Sequence, residues 1–254
     1  MGNRLRNNMD YLSITNKYYA NWLGVSYDVM HQDRMCLIKS SQRDVRPEGY
    51  PAKFDLYVFI QNERIIFSYN DKTESHLSAL LNEIKAGDKP EYISNIIKDA
   101  YGITPHENIK FVFHHLEHSE TSVKELTIND YPLFLQFFKM NNPNADTDWL
   151  YEYFQKITEK RYSYGITVDD LLVAATDAPY MPYMESEVQE IGINTLNEYR
   201  NKGYAKAVCI AATNSLLRQN ICPQWSTTTG NIASERLAYS IGFKKLADVI
   251  TVSF

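Results

Sequence analysis

The residues of this chain whose types and spacing can do chemistry lie between positions 187 and 243. A strand-like run from Glu187 reaches Glu190, Ile191, Gly192, Ile193, Asn194 and Thr195, and Arg200, Asn201, Lys202, Gly203, Tyr204, Ala205 and Lys206 follow closely. Ala205, Val208, Cys209, Ala212 and Leu216 then fall at helical spacing on one apolar stripe. A glycine-containing turn that opens a helix straight after a strand gathers backbone N–H groups and the positive end of the helix dipole at one spot. That geometry suits a phosphate or pyrophosphate. Gly203 lets the backbone come close, and Ala205 keeps the next turn free of bulk.

A near copy at Arg46, Gly49 and Pro51 has no adjoining helix, and Pro47 and Pro51 lack an N–H, so it cannot make the same cradle. Charge favours the copy at Arg200. From Glu198 to Lys245 there are seven basic residues (Arg200, Lys202, Lys206, Arg218, Arg236, Lys244, Lys245) against two acidic ones (Glu198, Glu235). The whole chain carries 26 basic and 31 acidic residues, a formal charge of −5. A local basic excess beside a glycine-turn helix start suits a polyphosphate ligand, and the acidic whole argues against a chain-wide polyanion-binding surface.

The elements that must position these groups read as follows. Residues 1–120 hold a helix over 8–23 and strands over 35–38, 55–60 and 64–69, with Asn62 and Glu63 as a hairpin turn. Helices over 75–85 and 90–101 come next, the second stopped by Gly102, and a strand over 109–114 follows. From about residue 121 the texture changes. A short strand over 123–126 precedes a helix capped by Thr127 or Asn129 and another capped by Asp146 or Thr147. A hairpin over 162–168 and 171–176 turns at Asp169 and Asp170. A strand over 187–195, a helix over 202–219, a strand over 224–228, a helix over 232–241 and a final strand or strand pair over 243–252 complete the chain. The order predicts an α/β fold (α+β, mixed sheet), with an N-terminal α/β domain over 1–120 and a second domain over 121–254.

With 254 residues, 44% hydrophobic and 22% charged, the chain is an ordinary globular protein of one large or two small domains. Cys36, Cys209 and Cys222 stand too far apart for a disulfide framework or a metal motif and fit a reducing compartment. The polar N-terminus reads as carrying no secretory signal, Arg6 stands where a myristoylation site needs Ser or Thr, and no apolar run is long enough to span a membrane. These features predict a cytoplasmic protein. His114, His115 and His118 imitate a metal cluster but lack a further ligand at a usable spacing, so no metal is expected.

Over about residues 122–254 the sequence resembles the GNAT superfamily of acyl-CoA-dependent N-acyltransferases, in a branch with an extra N-terminal domain. Three pieces in the right order carry the resemblance: 190–195, 199–205, and Pro223 with Trp225 through Asn231, Ser234, Gly242 and Phe243. The resemblance implies acetyl-CoA as cosubstrate. The backbone of Ile191, Ile193, Asn194 and Thr195 would hold the pantetheine arm, and Gly192 in that strand fits a bulge or a close backbone approach. The N–H groups of Asn201, Lys202, Gly203, Tyr204, Ala205 and Lys206 would hold the pyrophosphate, with Arg200 opening the motif. Asn231 and Ser234 would lie at the start of the next helix, near the thiol end or the pantetheine, and Asn231 is also a good N-cap.

Direct acyl transfer then needs a base for the ammonium, an N–H for the oxyanion and an acid or water for the thiolate. Glu190 is the first candidate base and Glu187 the second. Many relatives use a Tyr four residues before the Gly-Phe pair. Here that position is Ala238, and Tyr239 is turned by about 100° around the helix, so it is read as a packing or surface residue. The loop from Pro179 to Met184 is read as either a wall of the acceptor pocket or an ordinary interface loop. The expected activity is transfer of acetyl from acetyl-CoA to a primary amine. The alternative is a non-catalytic acyl-CoA-binding module, which the missing Tyr would suit. Expected partners are acetyl-CoA and the amine, with neither nucleic acid nor membrane, and a homodimer is compatible with the sequence.

Overall fold

A computed structural model describes residues 9–32 and 34–254. Residues 1–8, which hold the expected start of the first helix and the signal and lipidation readings, lie outside the described residues. Helix α1 (Tyr11–Leu23) begins where the Asp10 side chain accepts the Ser13 N–H and ends at Gly24 in the left-handed region. Strands β1 (Met35–Lys39), β2 (Leu56–Gln61) and β3 (Arg64–Tyr69) follow, then α2 (Asp71–Glu83), α3 (Pro90–Tyr101) and β4 (His106–Phe113). Gly102 closes α3 in the left-handed region, as its position predicts.

Strand β5 (Lys124–Glu125) leads through a single turn, closed by reciprocal bonds between Thr127 and Asp130, into α4 (Tyr131–Asn141). Helix α5 (Leu150–Glu159) starts later than expected. Asp146 does cap, but it accepts the Asp148 N–H in the preceding turn, and Trp149 stands at the helix N-cap. Strands β6 (Tyr164–Val168) and β7 (Leu171–Asp177) form a hairpin whose turn residues, Asp169 and Asp170, both have positive φ.

The expected single strand over 187–195 is two strands, β8 (Val188–Glu190) and β9 (Gly192–Thr195), parted at Ile191. Helix α6 (Tyr204–Arg218), strand β10 (Cys222–Thr228), helix α7 (Ile232–Ser240) and strand β11 (Phe243–Val252) end the chain. Strand β11 is one strand with an irregularity between Lys245 and Ala247.

Seven strands form one sheet in the order β1-β3-β2-β11-β4-β10-β8, and four form a second in the order β5-β6-β7-β9. The expected boundary at 120/121 falls just after β4. That strand lies between β10 and β11 and pairs with both, so the larger sheet joins elements from both sides of the boundary.

Three apolar clusters hold the layers together. Tyr19, Trp22 and Leu23 of α1 pack on Tyr57, Phe59, Val188 and Val249. Ile93 and Ile97 of α3 pack with Leu56, Val58, Ile65 and Val252. The third, around Phe154, Val208, Phe111, Trp225 and Phe243, joins α5 and α6 to the C-terminal strands. Burying a side chain of this size contributes about 1.5–3 kcal/mol.

A split strand, an open turn and a carboxylate on a glycine

The site is built around the parting of β8 from β9. Strand β8 runs parallel to β10, with Glu190 opposite Gln224, and the last bond on that side is Ile191 N–H to the Gln224 carbonyl (3.1 Å). Strand β9 instead pairs with β7, and Leu196 N–H donates to the Val173 carbonyl (2.9 Å). Antiparallel pairing alternates every residue, so Ile193 and Thr195 turn their backbone groups away from β7, into the gap between β9 and β10. Beyond Gln224, strand β10 pairs only with β4, which leaves its other edge facing the same gap. A gap between two strands with unspent backbone groups is a slot for an extended amide-bearing chain.

Both walls of the gap lead into helix starts. After β9 the chain turns through Asn201 (φ 61°) and Gly203 (φ 81°) into α6. No side chain caps α6, and no acidic residue lies in its first turn. The first helical bond of α6 is Ala207 N–H to the Gly203 carbonyl (3.1 Å), so the N–H groups of Tyr204, Ala205 and Lys206 are left for a ligand. Nothing stands within 4 Å of where a Cβ on residue 203 would be. Arg200 Nε reaches back to the Thr195 carbonyl (3.3 Å), and Lys202 lies over the Tyr199 ring (4.7 Å). The Thr195 hydroxyl oxygen is buried without a partner.

After β10, Asn231 caps α7 by accepting the Ser234 N–H (3.2 Å), and the Ser234 hydroxyl accepts the Trp225 indole N–H (3.2 Å). Ala238 is fully buried, whereas Tyr239 is 49% exposed with its ring against Phe111. The near copy of the turn behaves differently, because Tyr180 packs directly against Gly49.

Glu190 is half-buried and its Oε1 accepts the Ser226 hydroxyl (2.7 Å). Ser226 stands opposite Lys110 on β4, so a polar row crosses three strands. Burial lowers the Lys110 pKa, and the charge of Glu190 opposes that shift. The N-terminal residues roof this row. Gln224 donates to Thr15 of α1 (3.1 Å). Burial raises Tyr18 and Tyr19 well above the ordinary phenol range, and the Glu190 charge adds to both shifts. Glu187, by contrast, is exposed.

Sequence reasoning missed Asp177. It ends β7 directly opposite Gly192, and a Cβ on residue 192 would overlap its carboxylate. Burial, and after it the Glu190 charge, raises its pKa to about 6. Asp177 and Asn194 line a cleft of about 220 Å³ with Phe134, Phe138, Trp149 and Tyr153 of the α4–α5 region. The available signal was a glycine inside a strand, which implied a close approach but did not name the neighbour.

The loop from Pro179 to Met184 touches both this cleft and the N-terminal region. Pro179 lines the cleft, while the Tyr180 and Tyr183 hydroxyls donate to Glu48 and Gln42 of the N-terminal region. His115 pairs with Glu117 (2.7 Å), and among the described residues no three His, Cys, Asp or Glu side chains are grouped to hold a metal. Nor is any described helix long and apolar enough to cross a membrane.

A profile of the GNAT acetyltransferase family matches residues 93–249, more than half of the chain. The chain belongs to the GNAT acetyltransferase family. Family membership places it among acyltransferases. Among solved structures, a GNAT-family acetyltransferase from Colwellia psychrerythraea is similar over 97% of this chain and 98% of its own, with 15% identity and a TM-score of 0.57. That likeness shows that the fold extends to the N-terminal region. A putative GNAT acetyltransferase from Novosphingobium aromaticivorans matches at 21% identity and a TM-score of 0.45 over 59% of this chain, which spans 64% of that protein's length. The aminoglycoside acetyltransferase AAC(6')-Iy, solved with a bisubstrate analogue, matches 50% of this chain and 93% of its own at 18% identity and a TM-score of 0.43. No curated protein matches the chain.

Proposed function

We propose that this GNAT-family chain transfers the acetyl group of acetyl-CoA directly to a primary amine. The observation that carries the reading is the gap between β9 and β10 running into an uncapped, glycine-opened helix start. In this reading the three free N–H groups of α6 and the turn at Asn201–Gly203 bind the pyrophosphate. The backbone of Ile193 and Thr195 pairs with the pantetheine amides. The Ile193 N–H, facing the gap, polarises the thioester carbonyl and holds the oxyanion.

The amine loses a proton to one of the two carboxylates beside the gap, Glu190 or Asp177. Its nitrogen attacks the carbonyl carbon, and the C–S bond breaks with its electrons leaving on sulfur. A thiol with a pKa near ~8.5 is a fair leaving group, so water can protonate it, and no tyrosine is required at position 238.

The test is calorimetry with acetyl-CoA on the wild type and on Gly203→Glu, together with CoA release against a panel of amines. The substitution puts a side chain on a positive-φ residue and a carboxylate where the pyrophosphate would lie. A loss of affinity of about tenfold or more in a folded variant is expected. Equal affinity in the two proteins rejects the turn as the CoA site. CoA binding without release against every amine rejects turnover.

A further inference from the structure

Among the described residues, Asp177 is the only charged side chain lining the cleft beside β9, and no hydrogen bond or ion pair engages its carboxylate. Glu190 differs, because Ser226 holds one of its oxygens and Lys110 stands within range of its charge. The cleft around Asp177 is aromatic. Phe138 meets Trp149 edge-on (5.6 Å), Trp149 meets Tyr153 (5.5 Å), and the Trp149 indole is fixed by its bond to the Asp146 carbonyl (3.0 Å). An unpaired carboxylate at the end of an apolar, ring-lined cleft is complementary to a cation carried on a flat apolar body.

We propose that Asp177 receives the ammonium group of the acceptor and takes its proton, and that the cleft seats an aromatic body carrying that amine. The proposal rests on the acyl-transfer reading for its chemistry, but the amine site stands on its own geometry. The step balances as follows. The Asp177 carboxylate removes one proton from the ammonium, and the freed lone pair forms the C–N bond. The C–S bond breaks and its electrons stay on sulfur, which gains the second amine proton through water. Asp177 then releases its proton to solvent, leaving an amide, a free thiol and one proton in solution.

Three titratable groups face Asp177: Glu190 from β8, Tyr153 from α5 and Cys209 from α6. Burial raises both Tyr153 and Cys209, which stay neutral through the neutral range, and the Tyr153 hydroxyl is held by the Ala178 N–H (3.0 Å). Of the three only Glu190 brings a charge, and that negative charge helps to keep Asp177 basic enough to accept a proton near neutral pH.

The experiment is calorimetry with 2-phenylethylamine as the probe, run with and without CoA, with butylamine and 2-phenylethanol as comparisons. The wild type should bind 2-phenylethylamine best, and its affinity should rise as pH climbs through about 6. Asp177→Asn, of nearly the same shape, should weaken binding about tenfold or more and flatten the pH dependence while leaving CoA affinity unchanged. Glu190→Gln should keep a pH dependence, moved to lower pH. Trp149 is 47% exposed, so Trp149→Ala should fold, and it should weaken 2-phenylethylamine more than butylamine. Equal probe affinity in Asp177→Asn overturns the proposal, as does a wild type that does not saturate with the probe in the millimolar range. Failure of CoA alone to bind would instead overturn the acyl-transfer reading.

Discussion

Asp177 and Gly192 face each other across the β7–β9 pair, and the Asp177 carboxylate occupies the place a Cβ on residue 192 would take. The φ of Gly192 is not positive, so the backbone itself would accept any residue. What requires glycine is the acid lying over it.

Gly192→Ala should therefore fold but displace the carboxylate. A misplacement of about 1 Å near the reacting atoms lowers rates by roughly 10²-fold. We expect a loss of that order in kcat/KM for the amine, with a thermal midpoint close to wild type. Unchanged kinetics in this variant would mean that the carboxylate position does not matter to turnover.

Tyr239→Phe should leave turnover within about twofold of wild type. The side chain points outward beside Phe111, and the change removes a hydroxyl while keeping the ring. A large loss in steady-state rate would show that the hydroxyl reaches the leaving sulfur after all.

The fold was legible wherever one local rule decided it. Gly102, Asn62 and the Asp169–Asp170 turn were readable because a positive φ admits few residue types. The turn at Gly203 was readable because strand, glycine and helix stripe are consecutive. What escaped depends on contacts distant in sequence. Strand β4 sits between β10 and β11, more than 100 residues downstream, and no periodicity in 109–114 announces those partners. Asp177 lay one residue past the expected hairpin strand and carried no signal of its own, because its significance comes from Gly192 and from aromatic rings of the α4–α5 region. The parting at Ile191 was only hinted at by Gly192, which fits a bulge, since what divides residues 187–195 is the change of partner from β10 to β7.

Gly242→Ala tests a glycine whose role is architectural. Its φ is 103°, its carbonyl accepts the His114 N–H (3.0 Å), and a Cβ there would overlap the His115 carbonyl oxygen. Neither backbone can yield without opening the start of β11. A destabilisation of about 2–4 kcal/mol is expected in urea unfolding. A variant as stable as wild type would show that the 114–115 segment moves aside freely.

The pH dependence of stability gives a check on Asp177 that needs no substrate. Its folded pKa, about 6, lies above the ordinary value of 3.8, and the first cause is burial. Between those two values the native state holds a proton that the unfolded chain has already lost, so stability falls as pH rises through that window. Below it both states are protonated and the contribution is fully present. Above about 6 the buried charge is a constant burden. Asp177→Asn removes the titration. Relative to wild type it should gain about 1 kcal/mol, and at most ~3, between pH 4 and pH 8, the lower figure allowing for the solvent that reaches a half-buried carboxylate. In a Glu190→Gln background the gain should shrink, because the neighbouring charge is the second cause of the shift. Urea unfolding of the four proteins at both pH values measures the difference directly. Parallel stability profiles for wild type and Asp177→Asn would mean that Asp177 titrates as an ordinary surface acid. The same substitution that stabilises the fold at neutral pH should weaken binding of the cationic probe about tenfold or more, because the burden of an unpaired carboxylate is what the acceptor relieves.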